Sequence, residues 1–195
     1  MSAPPSPPVV VRRAKTEDAV LLSRLGAETF FDAFASQNTP EDMALYLRSS
    51  FGPDIQAAEL AEPHTVFLIA EVGVEAAGYA RLREGPPSVP MSAVRPLEIV
   101  RFYARTSWIG KRVGSALMEA CLSESLSRNC DLIWLDVWER NERAIAFYRK
   151  WGFVVVGSQP FRLGNDVQDD LLMARPVLPR GSGLPLDGAA PIRSS

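Results

Sequence analysis

The sequence predicts an α/β protein in which a mixed sheet of about seven strands carries helices on both faces. Segments rich in β-branched and apolar residues alternate with segments of helical periodicity. The strand Leu97–Ala104 is followed by an amphipathic helix and then by the apolar strand Leu132–Val137, an order that makes these two strands parallel. The strands Thr65–Val72 and Ala76–Arg83 are joined by a short turn around Gly73, so they can pair antiparallel.

The remaining elements give the order β-α-α-α-β-β-β-α-β-α-β-β. A first strand is predicted at Val9–Arg13, and Thr16 is predicted to cap the helix that follows it. Thr39 caps a second helix, which has Pro40 at its first position. Gly152 suits the left-handed residue that ends a helix. The other predicted elements are helices at about 54–62, 113–128 and Asn141–Trp151, and strands at Val154–Ser158 and Asp170–Arg175.

A single domain is expected over residues 9–178. The chain has 195 residues, of which 47% are hydrophobic and 23% are charged, as is ordinary for a globular protein. Residues 1–8 contain four prolines and are expected to form a disordered tail. Residues 179–195 are rich in Pro, Gly and Ser and are expected to form a flexible tail.

Composition argues against several classes of protein. The net charge of -2 provides no basic field for nucleic acid, and the apolar runs are shorter than the roughly 20 residues of a membrane helix. One His and two Cys do not form a usual structural zinc site, so no metal is expected. No signal-peptide pattern is present at the start, and we expect a cytoplasmic protein with free thiols and no nucleic-acid or membrane partner.

The most informative segment is the loop and helix start Trp108–Leu117, with the sequence WIGKRVGSAL. A glycine-bearing loop that opens a helix presents free backbone N–H groups at the positive end of the helix dipole, where phosphate or pyrophosphate can bind. The spacing is neither that of a P-loop nor that of a Rossmann fingerprint. A plain strand-to-helix turn would have the same appearance, so this segment alone does not decide the function.

A second segment lies one strand later, at 141–153, with the sequence NERAIAFYRKWGF. A strand followed by N-x-x-A-I-x-F-Y-x-x-x-G-F, about 30 residues after the loop, resembles the GCN5-related N-acetyltransferase (GNAT) superfamily. The resemblance covers about residues 9–178 and implies the acyl-CoA N-acyltransferase fold. Within the superfamily the chain resembles PaiA-type spermidine/spermine acetyltransferases, at residues 27–32, 37–43, 97–99, 133–139, 163–168 and 170–171.

The resemblance implies acetyl-CoA as cosubstrate and a role for each matching position. Asn141 would hydrogen-bond the cosubstrate's arm, and Tyr148 would reach its sulfur. The pantetheine arm would pair with backbone groups of Phe102, Tyr103 and Ala104. The pyrophosphate would be held by Ser115 and by backbone N–H groups of Ile109, Gly110, Lys111, Arg112, Val113 and Gly114.

The loop departs from the superfamily pattern [Q/R]-x-x-G-x-[G/A] at two positions. Ile109 stands at the first position and Arg112 stands in place of the middle glycine, so only Gly114 fits. The backbone N–H of residue 112 survives the substitution, and the phosphate cradle need not be lost. The arginine could point outwards or meet a phosphate of the cosubstrate.

The chemistry can be argued independently of the resemblance. A protonated alkyl amine cannot attack a thioester, because its pKa is about 10 and its lone pair carries a proton. Glu98, on the strand beside the expected thioester, is the candidate base, with an ion-paired or solvated carboxylate as the alternative. Tyr148 is the candidate acid for the leaving thiolate, with helix-to-sheet packing as the alternative. A main-chain N–H near Phe102–Tyr103 is the candidate oxyanion donor.

Charge is distributed unevenly along the chain. Residues 16–62 carry nine acids and two bases, whereas residues 101–150 carry nine bases and six acids. Focused negative charge favours a cationic acceptor such as a polyamine. Glu28 and Asp32 are four residues apart on one helix face and are the candidate acceptor contacts, with an ordinary helix surface as the alternative.

These observations predict transfer of an acetyl group from acetyl-CoA to a primary amine, by direct attack in a ternary complex. The expected acceptor is a small molecule, either a polyamine or another small cationic amine, and a homodimer is possible. Two alternatives stay open at this point: a non-catalytic regulatory module that binds acyl-CoA, and an acetyltransferase that acts on protein or peptide amines.

Overall fold

The computed structural model describes residues 7–85 and 93–177. The strands are β1 (Val9–Arg13), β2 (Thr65–Val72), β3 (Glu75–Glu84), β4 (Pro96–Ala104), β5 (Leu132–Trp138), β6 (Val154–Leu163) and β7 (Asp166–Pro176). The α-helices are α1 (Ala19–Phe34), α2 (Pro40–Ser50), α3 (Pro53–Ala61), α4 (Val113–Ser127) and α5 (Glu142–Lys150). Residues 1–6 of the predicted N-terminal tail and the whole predicted C-terminal tail lie outside the described residues.

One seven-stranded sheet organises the molecule, in the order β1-β2-β3-β4-β5-β7-β6. The neighbours β4 and β5 are parallel, and the other neighbouring strands are antiparallel, which confirms the predicted mixed sheet. The crossover through α4 explains the parallel pair, because two consecutive strands joined by a helix run in the same direction. Within the described residues, none of the helices has the length and apolar character needed to cross a membrane.

Alternating side chains on the strands separate two cores, one on each face of the sheet. On β2, Leu68 and Ala70 point to the face covered by α4, whose residues Leu117 and Cys121 are fully buried there. Residues Phe67 and Ile69 of the same strand point to the opposite face, where Leu22 and Leu25 of α1 pack. This period of two is what a strand with helices on both sides requires.

Two predicted helix signals have different outcomes. The Thr39 hydroxyl accepts a hydrogen bond from the Asp42 backbone N–H at 3.2 Å, and Pro40 is the first residue of α2, as predicted. The predicted Thr16 cap is wrong, because residues 16–18 form a short 3-10 turn ahead of α1. The side chain that stabilises this turn is Asp18. Its carboxylate accepts a hydrogen bond from the Lys15 backbone N–H at 2.7 Å and forms an ion pair with Arg12 at 2.7 Å.

The last two strands are longer than predicted and form a hairpin. Proline cannot donate to a ladder, but Pro160 lies on β6, which is the edge strand of the sheet and tolerates it. Leu163 pairs with Asp166 across a two-residue turn in which Gly164 has φ of 60°. The Asp42 carboxylate accepts the Asn165 backbone N–H at 2.7 Å, which ties the hairpin tip to α2.

Gly26 allows α1 to approach the ring of Phe51. A Cβ atom at position 26 would lie 2.5 Å from Phe51 Cδ1 and 3.1 Å from Tyr79 Oη. The Phe51 ring cannot easily retreat, because it is 3% exposed and lies under the Arg101 guanidinium, 4.9 Å from the ring centroid.

We therefore expect Gly26→Ala to lower the free energy of unfolding by about 1–3 kcal/mol, the usual cost of overpacking. This loss should exceed the gain of about 1 kcal/mol that alanine gives an exposed helix position. Urea denaturation measures the change. The cost should shrink in a Phe51→Leu background, and stabilisation by Gly26→Ala alone would contradict the close approach.

Candidate active site

The site begins where β4 and β5 separate. Their ladder runs from Pro96 opposite Leu132 to Glu98 opposite Trp134 and ends there, although both strands continue. On its other edge, β4 stays paired with β3 as far as Ala104. Beyond residue 98, the edge of β4 that faces β5 therefore has no strand partner among the described residues. An extended ligand with amide groups can pair with such an edge.

A β-bulge accounts for the separation. Leu82 pairs with Ile99 and Arg81 pairs with Arg101, so Val100 is an extra residue on β4. A bulge bends its strand and increases the local twist. Because this bulge follows Glu98 directly, β4 turns away from β5 where the parallel ladder stops.

The start of α4 lies at the same gap. Arg112 is the N-cap residue, no side chain caps the first turn, and the first backbone N–H groups of the helix are available to an anion. Arg112 has φ of 68° and Gly110 has φ of 78°. The left-handed conformation costs a residue with a Cβ atom roughly 1–2 kcal/mol, which explains why the superfamily pattern has glycine at position 112. Arg112 adopts the left-handed conformation here, so the backbone of the loop has the conformation that a glycine at this position would allow.

A cavity of about 710 Å³ joins the gap to the start of α4. Most of the sequence-predicted site residues line it. These are Asp32, Glu98, Phe102, Tyr103, Ala104, Ile109, Gly110, Arg112, Gly114, Ser115, Asn141 and Tyr148.

The structure places the other three predicted site residues outside the cavity lining. The Val113 side chain is fully buried in the core, and the Lys111 ammonium lies 5.0 Å from the centroid of the Trp108 ring. The Glu28 carboxylate forms an ion pair with Arg105 at 2.9 Å, so much of its charge is already compensated. Val113 can still contribute its backbone N–H group, which is the role predicted for it. The backbone N–H groups of Lys111 and Ile109 do not have that role here, because they donate to the carbonyls of Trp108 at 3.2 Å and Thr106 at 3.3 Å.

Aromatic side chains form one wall of the cavity, on the face of the sheet covered by α4 and α5. Tyr148 is 6% exposed, and its ring centroid lies 6.0 Å from that of Phe102 and 5.6 Å from that of Phe147. Burial raises the pKa of Tyr148 above its usual value, since the phenolate would be poorly solvated. The phenol therefore keeps its proton near neutral pH and can act as a donor.

Asn141 has a structural role at the start of α5. Its Oδ1 atom accepts the Ala144 backbone N–H at 3.2 Å and caps the helix. The cap uses the oxygen of the amide, so the Nδ2 group can still donate to a ligand in the cavity.

Carboxylates form the opposite wall, and Glu98 is the one nearest the end of the parallel ladder. It is 8% exposed, and its Oε2 atom accepts a hydrogen bond from Arg83 Nη2 at 2.7 Å. Burial raises the pKa of Glu98, although the Arg83 guanidinium works in the opposite direction. The ion pair does not remove Glu98 from the cavity lining.

Sequence reasoning did not assign a function to Asp136 and Asp170, which also belong to this acidic wall. Asp136 accepts a hydrogen bond from Gln159 Nε2 at 3.1 Å, and burial raises its pKa. Asp170 is 6% exposed, and its Oδ1 atom finds no hydrogen-bond donor among the described residues. Burial, with a contribution from Asp136, raises the pKa of Asp170 to about 7. Their signal in the sequence is weak: Asp136 is a single acid within the apolar run LIWLDVW, whereas Asp170 is the second of two acids that precede LLMA.

Comparison with known proteins places the chain in a family. Residues 27–153 match the model of the Acetyltransferase (GNAT) family. An uncharacterized N-acetyltransferase in the pepI 3′ region of Lactobacillus delbrueckii subsp. lactis is 33% identical over 154 residues, which cover 79% of this chain and 89% of that protein. An uncharacterized N-acetyltransferase of Mycobacterium tuberculosis is 29% identical over 161 residues, which cover 83% of this chain and 99% of that protein.

The fold agrees with that of solved acetyltransferases. The crystal structure of the PaiA N-acetyltransferase from Thermoplasma acidophilum, in complex with coenzyme A, superposes with a TM-score of 0.70 at 18% sequence identity. The superposition covers 87% of this chain and 99% of that protein. The family match and the 33% identical relative together show that this chain belongs to the GNAT acetyltransferase family and is an enzyme.

Proposed function

We propose that this enzyme transfers the acetyl group of acetyl-CoA to the primary amine of a small cationic acceptor. The observation that carries the proposal is that two chemically different walls line the same cavity. The first wall combines Tyr148, Phe102 and the start of α4, while the second contains Glu98, Asp136 and Asp170. A thioester and a cationic amine can therefore enter the same gap from opposite faces of the sheet.

The cosubstrate fits the backbone features of the first wall. The unpaired edge of β4 along Phe102, Tyr103 and Ala104 can form strand-like hydrogen bonds with the amides of a pantetheine arm. The backbone N–H groups of Val113, Gly114 and Ser115 suit the pyrophosphate, because they lie in the first turn of α4, at the positive end of its dipole. The Asn141 amide is the side chain that we assign to the arm.

The reaction is a direct transfer within a ternary complex. Glu98, through a water molecule, takes a proton from the ammonium group, and the neutral amine then attacks the thioester carbonyl. A backbone N–H near Phe102–Tyr103 stabilises the oxyanion. The carbon–sulfur bond then breaks, and Tyr148 donates its proton to the departing thiolate. The attacking nitrogen loses its second proton, which returns through water to the Tyr148 phenolate. The products are the acetylamide and free CoA.

The charge of the second wall supports a cationic acceptor. Glu98, Asp136 and Asp170 lie within one cavity, and Asp32 lines it as well. Asp32 accepts a hydrogen bond from the Thr106 hydroxyl at 3.2 Å, which leaves its charge uncompensated. Asp32 is therefore a stronger candidate than Glu28 for a contact with the acceptor. The cytoplasmic location and the homodimer stay predictions.

The proposed function is tested with the purified protein, acetyl-CoA and a panel of acceptors, by measuring release of the CoA thiol. Small cationic amines should have the highest kcat/KM, and their KM should rise with salt because screening weakens attraction to the acidic wall. The panel includes neutral-ended amines and peptides with a free N-terminus. A clear preference for peptides, without a salt effect on small amines, would contradict the proposed acceptor.

Position 114 tests the site of the cosubstrate. A Cβ atom at Gly114 would lie 3.5 Å from the Phe147 ring and 4.0 Å from the Phe102 ring, so alanine fits with ordinary contacts. A leucine side chain would extend into the space that the cosubstrate needs. We expect Gly114→Leu to weaken acetyl-CoA binding roughly 10- to 100-fold by calorimetry, and Gly114→Ala to stay within about threefold. Unchanged affinity in a folded Gly114→Leu variant would exclude this site.

The role of Tyr148 is tested by Tyr148→Phe, which keeps the ring and removes the proton. We expect kcat to fall roughly 10²–10⁴-fold while acetyl-CoA affinity holds, because a positioned acid contributes about this much. The matched control is Tyr79→Phe. Tyr79 is fully buried and lies outside the cavity lining, and its hydroxyl has no hydrogen-bond partner among the described residues. A Tyr148→Phe enzyme as fast as the wild type, with chemistry rate-limiting, would make Tyr148 a packing residue.

A further inference from the structure

The three carboxylates of the acidic wall form a diagonal row on one face of the sheet. Glu98 on β4 lies opposite Trp134 of β5, and Asp170 on β7 lies opposite Trp138 of β5. Asp136 lies on β5 between these two tryptophans. Directly opposed residues share a face, as do residues two apart on one strand. Glu98, Asp136 and Asp170 therefore point to the same side.

The row has a regular spacing and a direction. Each step crosses one strand, about 4.8 Å, and advances two residues, about 6.6 Å, so successive Cα atoms lie roughly 8 Å apart. The row starts at Glu98, where the β4–β5 ladder ends, continues at Asp136 on the β5 border of the gap, and ends at Asp170 on β7. A chain of several methylene groups can bridge this spacing with an amine at each end.

The members of the row differ in their protein partners. Glu98 has a cationic partner, Arg83. Among the described residues, neither Asp136 nor Asp170 forms an ion pair with a Lys or Arg side chain. Asp170 leaves one buried oxygen without a hydrogen bond although it lines the cavity. A buried carboxylate oxygen without a donor costs free energy, which a cationic ligand would recover.

We propose that Asp136 and Asp170 bind a second ammonium group of the acceptor, the one that is not acetylated. The reacting amine then lies at the Glu98 end of the row, next to the gap. This subsite rests on the proposed acetyl transfer to a cationic amine. It makes a diamine a better acceptor than an amine of the same length with a neutral far end.

The subsite has its own pH dependence. Asp136 of β5 and Tyr46 of α2 lie near Asp170, and Asp169 precedes it on β7; none of these titratable groups is a cation at neutral pH. With a pKa of about 7 in the free enzyme, Asp170 is protonated below neutrality and loses its attraction for an ammonium group. The KM for a diamine should therefore rise as the pH falls below 7, more than the KM for an amino alcohol.

The first experiment compares diaminopentane with aminopentanol as acceptors for Asp170→Asn. Both acceptors present the same reacting amine, and only diaminopentane has a second ammonium group. We expect Asp170→Asn to raise the KM for diaminopentane roughly 10- to 100-fold, the usual worth of a hydrogen bond to a charged group, and to change the KM for aminopentanol by less than about twofold. An equal rise for both acceptors, or no rise, would overturn the subsite.

The matched control is Asp169→Asn. Asp169 is the preceding residue on β7, is exposed, and lies outside the cavity lining, so this variant removes the same charge one residue away. At about pH 8, above the Asp170 pKa of about 7, it should leave the KM of both acceptors unchanged. A rise in the diaminopentane KM as large as that of Asp170→Asn would indicate that negative charge on β7 acts at a distance, and it would overturn the assigned contact with Asp170.

Folding of Asp170→Asn is checked by its melting temperature. The raised pKa means that the ionised carboxyl is disfavoured in the folded state; this penalty is complete above pH 7 and disappears as the pH falls towards the unfolded value of 3.8. The asparagine variant should thus melt no lower than the wild type at about pH 8, and its advantage should shrink in acid. A loss of diamine affinity in this folded variant cannot be attributed to unfolding.

A second readout does not depend on turnover. Tetramethyl diaminopentane carries two cationic tertiary amines and cannot form a stable amide, and its binding to the CoA-loaded enzyme is measured by calorimetry. We expect Asp170→Asn to weaken binding at least 10-fold, and Asp169→Asn to leave it unchanged. If the wild type acetylates no amine yet binds this compound through Asp170, the proposed function fails and the subsite stands. If it acetylates amines but binds the compound equally well without Asp170, the subsite alone fails.

Discussion

The separation of β4 from β5 is the constraint on which the rest of the site depends. In a continuous parallel ladder, the backbone N–H and C=O groups of β4 would all be hydrogen-bonded to β5, and the sheet would have no opening from one face to the other. The ladder stops at Glu98 opposite Trp134, while β3 and β7 keep both strands in place. Both strands that border the opening are therefore held by a neighbour. A substrate can form hydrogen bonds with the exposed edge of β4 without any part of the sheet unfolding.

Buried charge on the sheet supports this opening. Arg81 and Arg101 are opposed across β3 and β4 at the bulge, an arrangement that like charges normally make unfavourable. Glu59 of α3 forms ion pairs with both, at 2.5 Å each. With Glu59 13% exposed and both arginines at 10% or less, the three groups are shielded from water. Because removal of one member would leave an uncompensated buried charge, the contact couples the position of α3 to the geometry of the gap.

Much of the fold could be predicted from the sequence, because its signals are local. Periodicity located the strands and helices, and the strand–helix–strand order set the parallel pair. Long-range context decided what the sequence analysis missed. The last strands extend beyond their predicted bounds, and β6 can include Pro160 because it is the edge strand of the sheet. Thr16 looked like a cap, but Asp18 has the stronger local partner in Arg12.

The site could be predicted only where backbone and motif define it. The loop before α4 and the N-x-x-A-I-x-F-Y segment both lie at the cavity. The acidic contacts were harder to predict, because the sequence does not show which side chain lies beside a given carboxylate. The ion pair between Glu28 and Arg105 joins residues 77 positions apart. Asp136 and Asp170 become neighbours only through the register of β5 with β7.

A cationic acceptor poses a conflict that the geometry of the acidic wall can resolve. Carboxylates that attract an ammonium group also stabilise its charged form and raise its pKa, which opposes the loss of the proton that attack requires. A single acidic cluster at the gap would therefore bind the amine well and leave it unreactive.

The diagonal row separates the binding of the acceptor from the deprotonation of its reacting amine. Asp136 and Asp170, which have no Lys or Arg partner among the described residues, are the members farther from the end of the β4–β5 ladder. There they can hold the ammonium group that keeps its charge throughout the reaction. Glu98 lies at that end and carries Arg83 as a partner, so its field on a nearby ammonium group is weaker. Affinity can then come from the far end of the acceptor, while the reacting amine experiences less of the potential that would keep it protonated.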